Sequence, residues 1–449
     1  MSPMLLRQDS GAMRSRMDWV LVGSALVLIL MGTLAILSAA APLPGYGQLL
    51  QKHFLAIGIG SLLFLFGLGF NYQIYQDQWK FIYTITLLMM VAVLFVGFTA
   101  RGQKAWVRLP FINFQPSELA RILTVLVLAN FLDRRGNRAQ DVWTVLGAFL
   151  LTAPVMALIL KQPDFSSTLT FFPILIGMLF CAGANLGQLL GMAGYGAITL
   201  ALPLLWTLAG LHPEWKAFAP VAAFVHLAEF HWPLFLTLGG VFVAAYLLWK
   251  LFLMARVPVP GLYFGAAALI LAGGLCSAVL VNHQIKGYQR NRFVAFLVPE
   301  MDPRGAGYNV RQAQIAIGSG GLWGKGVFSG TQSQLGFLPE RHTDFIYAVI
   351  GEEMGFIGSM GVLTLYLVLL WRIMNAARLS RDRYGCLVCT GIVCYYGFSL
   401  LVNIGMCLGL VPVAGIPLPL LSYGGSNLAV TLFNLGIVAN IYSRRYALL

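Results

Sequence analysis

Apolar runs close to twenty residues long recur from one end of this chain to the other. That repetition limits the fold more than any single motif does. A helix needs about twenty apolar residues to cross the roughly 30 Å hydrocarbon core of a bilayer, where lipid offers no partner to an unpaired backbone amide. With 59% hydrophobic and only 10% charged residues, and a mean hydropathy of +0.79, the chain could not solvate its surface as a soluble globule. Strands of a membrane barrel would read as short alternating segments, and the sequence shows none. The expectation is an all-α polytopic membrane protein, a helical bundle forming one membrane domain over 1–449.

Twelve spans are predicted, at about 19–41, 53–70, 80–99, 117–132, 142–161, 166–184, 188–210, 232–254, 259–282, 345–371, 385–408 and 424–442. Arginine clusters orient them. Arg134, Arg135 and Arg138, then Arg372, Arg378, Arg381 and Arg383, then Arg444 and Arg445 mark turns on the cytoplasmic side. Both termini therefore fall inside. The net charge of +13 is in good part this bias, so nucleic acid is not an expected partner. Cys386, Cys389 and Cys394 lie within an apolar run, with no His or acid at metal-ligand spacing, and read as small hydrophobes.

One long polar block interrupts the pattern, from Gly287 to Gly358, rich in Gly, Gln, Arg and acid. It is expected outside, before the last three spans. Eight of the sixteen acids gather on that side: Glu118, Asp164, Glu300, Asp302, Glu340, Asp344, Glu352 and Glu353. Acids at membrane depth are costly and usually face a cavity or a partner. Cations gather there too, against the positive-inside rule, among them Lys104, Arg108, Arg292, Lys325 and Arg341. Two causes fit equally: pairing with those acids, or an anionic substrate gripped by guanidinium forks.

Asp302 sits in Pro-Glu-Met-Asp-Pro-Arg-Gly-Ala-Gly-Tyr, where proline and glycine fix the backbone. A carboxylate held near cations can serve as general base to a sugar hydroxyl, and an Asp before Pro can equally be a turn former. The run IGSGGLWGKGVFSG matches neither a Walker loop nor a dinucleotide fingerprint, and reads as a flexible loop.

Several segments together resemble a known family. FLVPEMDPRGAGYN, QIAIGSGGLWGKG and GTQSQLGFLPERHTDFIYAVIGEEMGFIG are similar to the SEDS family of shape, elongation, division and sporulation proteins, of which RodA and FtsW are branches. So are WVRLPFINFQPSELARI, LKQPDFSSTL and GIPLPLLSYGGSN, in the family's order, from about Trp106 to Asn427. LPERHTDFIYAV and PVAGIPLPLLSYGG look more like the elongation branch than the division branch.

The resemblance implies a peptidoglycan glycosyltransferase that polymerises lipid II at the outer face of the bacterial cytoplasmic membrane, with undecaprenyl diphosphate leaving. It implies Asp302 as general base, because the second Asp of the family's DPxxDPxGxGY motif falls there. The family's QPSExxK pair falls on Glu118 and Arg121. The candidate substrate-binding set is Glu118, Arg121, Lys104, Arg108, Arg292, Lys325, Arg341 and Asp344. No cofactor is demanded, and no metal ligand set is assigned, although a divalent cation could bridge the diphosphate to Asp302 or Glu118. The expected protein partner is a class B penicillin-binding protein.

Three departures stand out. The motif's first Asp is Val298, the family lysine is Arg121, and the usual PDLGT is Pro163-Asp164-Phe165-Ser166-Ser167. Family members usually have ten spans, so 232–282 reads as an inserted transmembrane hairpin, followed by a large extracytoplasmic catalytic loop at 283–344. The alternatives are a division-specific polymerase, a flippase or transporter of lipid-linked precursors, and a non-catalytic scaffold. A transporter would spread its charge through the depth of the bundle, whereas the unexplained charge here is skewed to one side.

Overall fold

The structure is a computed structural model and describes residues 17–100, 103–108, 113–284, 287–298 and 305–446. The chain is a polytopic helical membrane protein. Nine of the described helices are long and apolar enough to cross a bilayer. They are α1 (Trp19–Ala40), α2 (Tyr46–Gly69), α3 (Trp79–Val96), α5 (Val142–Lys161), α8 (Leu186–Leu211), α9 (Trp232–Met254), α10 (Gly261–Gln284), α13 (Gly355–Arg378) and α14 (Arg383–Cys407). The other three segments expected as spans are also helical: α4 (Pro116–Arg135), α6 with α7 (Phe165–Leu169, Phe171–Cys181) and α15 (Gly425–Ser443).

Burial explains why α4 and α15 are less apolar. Lipid-facing helices must be greasy, but a helix walled in by protein need not be. α15 carries Ser426, Asn427, Asn434 and Asn440, and is buried along almost its whole length. It packs most extensively against α2. The approach is close enough that a Cβ at Gly436 would collide with the Phe64 carbonyl.

The chain forms two compact units. One comprises the residues up to Ala184 and those from Asn309 onward, the other Asn185–Tyr308. In the second unit, α10 packs against both α8 and α9 around Trp206, Leu234, Ala278 and Val279. The connector between α8 and α9, whose register the sequence leaves open, forms a short helix at Ala219–His226. Trp206 Nε1 donates to its Phe224 carbonyl at 2.9 Å.

In the first unit three features depart from the expected pattern. The polar stretch after α3 pairs into short antiparallel strands, β1 (Phe98–Ala100), β2 (Gln103–Arg108) and β3 (Asn113–Phe114), in the register Thr99 to Lys104 and Arg108 to Asn113. The span expected at about 345–371 is two helices: α12 (Ile346–Glu353), then α13. Gly355, the first residue of α13, has φ +65°, a left-handed backbone that glycine adopts without steric cost.

The glycine run expected as a flexible loop is pinned instead. Lys325 and Gly326 amides donate to the Glu352 and Glu353 carbonyls, each at 3.0 Å, closing the end of α12. Gly324, at φ +83°, has no room for a Cβ against the Glu353 carbonyl. Close backbone approach, rather than phosphate cradling, explains the glycines there.

Candidate active site

Helix α4 opens on Gln115, extended at φ −106° and ψ 103°, with Pro116 beginning the helix. A proline in the first turn sacrifices no helical hydrogen bond, and an acid there suits the positive end of the helix dipole. Glu118 and Arg121 follow three residues apart on one face, each 4% exposed. Arg121 NH1 donates to Glu118 Oε2 at 2.9 Å.

Three other helices complete the surroundings. Asp164 caps α6, accepting from the Ser167 amide at 3.1 Å and from the Ser167 hydroxyl at 2.6 Å. Its Oδ2 also accepts from Gln115 Nε2 at 2.8 Å and the Ser117 hydroxyl at 3.3 Å. Arg121 NH2 donates to Ser167 Oγ at 3.2 Å. From α14, the Tyr395 hydroxyl donates to Glu118 Oε2 at 3.3 Å, and the Tyr395 ring lies 4.5 Å from the Arg121 guanidinium carbon, within cation–π range. From α15, Asn427 Nδ2 donates to the same carboxylate oxygen at 3.2 Å.

The result is a buried polar cluster of two acids and one guanidinium, with every charge hydrogen-bonded. One donor is left over. Arg121 Nε is buried without a partner among the described residues, and leaving such a group unmade costs about 1–3 kcal/mol.

A second polar cluster lies where α12 ends. Glu352 accepts from Lys325 Nζ at 3.1 Å, the Thr331 hydroxyl at 3.0 Å, and the Gln332 and Ser333 amides at 2.8 and 3.0 Å. Burial alone would raise the Glu352 carboxyl, but those amides and Lys325 outweigh it and hold the group below the ordinary carboxylate value. Glu353 accepts from the Ser38 hydroxyl at 2.5 Å and the Ser333 hydroxyl at 3.1 Å. Nearby, Arg341 is buried and its Nε donates to the Ala39 carbonyl at 2.7 Å.

The predicted residues therefore separate. Glu118 and Arg121 come together. Lys325 and Arg341 are engaged by protein acceptors around α12 and the end of α1. Lys104 and Arg108 lie on β2: Lys104 Nζ donates to the Leu94 carbonyl at 2.7 Å, and the Arg108 guanidinium carbon stands 4.7 Å from the Phe98 ring. The Asp344 carbonyl accepts from Asn403 Nδ2 at 3.0 Å. Arg292 belongs to the second unit, on α11 (Gly287–Leu297). Asp302 lies outside the described residues.

Sequence reasoning missed Tyr395 and Asn427 as partners of the pair. Asn427 closes a motif already singled out, GIPLPLLSYGGSN, and three asparagines in one predicted span were a signal of protein-facing polarity. Tyr395 carried no signal beyond its type.

Comparison with known proteins agrees with the motifs. The FtsW/RodA/SpoVE family model, described as cell cycle protein, matches residues 18–213 and 208–447. The chain is 33% identical to the peptidoglycan glycosyltransferase MrdB of Escherichia coli K12, over 95% of each chain. It is 31% identical to the peptidoglycan glycosyltransferase RodA of Treponema pallidum, over 96% of this chain and 98% of that one. A probable peptidoglycan glycosyltransferase FtsW of a Geobacter species is 30% identical, over 95% and 97%.

Among solved structures, it resembles a chain of one described as "Structural coordination of polymerization and crosslinking by a peptidoglycan synthase complex". The TM-score is 0.65, with 28% identity and coverage of 96% and 99%. It also resembles the rod shape determining protein RodA of Thermus thermophilus, with TM-score 0.59, 26% identity and coverage of 96% and 98%. The chain belongs to the FtsW/RodA/SpoVE family of polytopic membrane proteins.

Proposed function

We propose that the chain is a peptidoglycan glycosyltransferase that polymerises lipid II during cell elongation, with its active site on the outer face of the cytoplasmic membrane and both termini inside. The observation that carries this reading is the buried Glu118–Arg121 pair, built from the family's QPSE segment and closed by Asp164, Ser167, Tyr395 and Asn427. Ionisable groups at membrane depth are expensive and mark substrate paths by default. Relatives named for this activity match over nearly the full length of the chain. Relatives bearing the MrdB and RodA names are 33% and 31% identical and one bearing the FtsW name 30%, which leans toward elongation over division.

In the mechanism we infer, Asp302 accepts the proton of the acceptor's sugar 4-hydroxyl as that oxygen attacks the anomeric carbon of the lipid-linked glycan. The bond from that carbon to the diphosphate oxygen breaks, and undecaprenyl diphosphate leaves carrying the electron pair. Cations then stabilise the departing charge, which is usually the largest catalytic contribution. Arg121 is the cation we assign first, through the Nε that has no partner among the described residues. Glu118 holds its guanidinium in place. Lys104 and Arg108 on β2 and Arg292 are assigned to the approach of the anionic substrate. Lys325, Arg341 and Asp344, which the chain itself engages, shape the polar block. The segment 232–282 is read as an added hairpin, and 283–344 as the catalytic loop. The partner is a class B penicillin-binding protein that cross-links the product.

The test is glycan polymerisation from lipid II by the purified protein with that partner. Asp302→Asn and Asp302→Ala should both abolish polymer while assembly with the partner persists. Full-length glycan from both variants would remove Asp302 from the mechanism. No polymer from the wild-type complex would overturn the assignment as a polymerase.

A further inference from the structure

Away from the Glu118 cluster, at the end of the first unit marked by the Arg378–Arg383 turn, two cysteines meet. Cys181 ends α7 and Cys386 lies in the first turn of α14. Their sulfurs are 3.6 Å apart. Cys181 is exposed and Cys386 half-buried, whereas Cys389 and Cys407 are buried.

The surroundings are those of a reactive thiol rather than an inert core cysteine. The Thr390 hydroxyl donates to Cys181 Sγ at 3.4 Å. Arg383 NH2 donates to the Ala182 carbonyl at 2.5 Å, which fixes a guanidinium one residue beyond Cys181. The acid nearest Cys386 in sequence is occupied elsewhere: Asp382 Oδ1 caps the Gly385 amide at 2.8 Å, and its Oδ2 accepts from the Tyr72 hydroxyl at 2.8 Å and Gln73 Nε2 at 3.2 Å. Exposed, cation-flanked cysteines with a second thiol in reach are the ones oxidants select. A disulfide bond is about 2 Å long, so the two sulfurs have roughly 1.5 Å to close.

We propose that Cys181 and Cys386 form a modification site, a thiol pair that hydrogen peroxide converts to an intramolecular disulfide. The Cys181 sulfur attacks one peroxide oxygen, the O–O bond breaks, and Cys181 becomes a sulfenic acid as one water leaves. The Cys386 sulfur then attacks the Cys181 sulfur, forming the S–S bond and expelling the sulfenic oxygen as a second water. Two thiols are oxidised by two electrons in all, and one peroxide is reduced to two waters. On the topology proposed above, the pair faces the cytoplasm, where thiols are kept reduced and disulfides are transient and sensory.

The consequence lies at the other end of the same helices. α7 continues from α6, whose Ser167 contacts Arg121, and α14 carries the Tyr395 ring over Arg121. Between the two ends the helices are close-packed, with Gly391 against Met178 and Gly177 against Cys394. A disulfide ties the two supports of Arg121 together at their far ends and restricts sliding between them. This step rests on the polymerase reading. The disulfide itself does not.

The experiment treats the full-length protein in mild detergent with hydrogen peroxide, alkylates the remaining thiols under denaturing conditions, and maps peptides by mass spectrometry. The expected result is a Cys181–Cys386 linked peptide that dithiothreitol removes, with two free thiols lost per chain. The linkage should persist in Cys389→Ser and vanish in Cys386→Ser. Recovery of Cys181 as a free thiol or a sulfinic acid, or its linkage to another cysteine, would overturn the proposal, and wild-type protein alone suffices to show it. With a polymerising complex in hand, oxidation should lower the rate at least twofold, reversibly, in the wild type but not in Cys386→Ser. An equal rate before and after oxidation would overturn the coupling to Arg121.

Discussion

The Glu118–Arg121 pair allows a double-mutant cycle whose outcome follows from burial. Each residue is 4% exposed, so removing one charge strands the other in a medium that solvates it poorly. Breaking a buried pair this way costs about 3–5 kcal/mol. Glu118→Gln should fall near the low end, about 3 kcal/mol, because the amide oxygen can still accept from Arg121, Tyr395 and Asn427. Arg121→Met leaves a carboxylate that keeps only the Tyr395 and Asn427 donors, again about 3 kcal/mol. Independent effects would sum to about 6 kcal/mol. The double variant buries two neutral side chains of similar volume, and such replacements are often neutral, so its expected cost is below about 2 kcal/mol. The assay is unfolding of the four proteins in one detergent and lipid mixture, followed by intrinsic fluorescence. A double variant that loses the sum of the single losses, within about 0.5 kcal/mol, would refute the idea that each charge is there to answer the other.

Three further outcomes follow from the geometry. Gly436→Ala should destabilise the protein by about 2 kcal/mol or more, because its Cβ has no space against the Phe64 carbonyl; Gly58→Ala, where nothing lies within 4 Å, serves as the control, and equal unfolding temperatures would discount the close helix contact. Glu352 is held below the ordinary carboxylate value, so its contribution is complete above that value and is lost as pH falls through the depressed one. Acidification from pH 7 to pH 3.5 should therefore destabilise the wild type more than Glu352→Gln, and identical pH profiles would count against the assignment. The same substitution should also raise proteolysis of the Gly320–Gln334 loop, read by the first cleavage sites.

The sequence made the membrane-facing parts of this fold legible, because lipid imposes one simple rule on every residue that touches it. α1, α5 and α9 could be read from hydropathy alone. The rule weakens wherever protein replaces lipid. α15 is recognisable as a helix, but its asparagines report contacts with helices far away in sequence, which no local pattern encodes. The β1–β3 meander was hidden for a related reason: its strands are too short for alternation to stand out, and their pairing is set by the turn out of α3. Glu118 and Arg121 were found from motif and spacing. The Tyr395 ring over Arg121 was not, since an aromatic residue in an apolar run looks the same whether it faces lipid or a guanidinium. The glycines at 320–326 were visible as punctuation, and only the fold shows that they permit one backbone to press against another.

The enclosure of α15 also bears on how the protein is made. Among the described helices, it is not one of those apolar enough to cross a bilayer unaided. Its asparagines would face hydrocarbon if it entered before its neighbours were in place. Its insertion therefore depends on surfaces already assembled by α2, α4 and α14. A chain cut short before Gly425 would leave Glu118 without Asn427 and the Tyr72 amide and Leu68 carbonyl without Asn440, an open polar slot in the bundle.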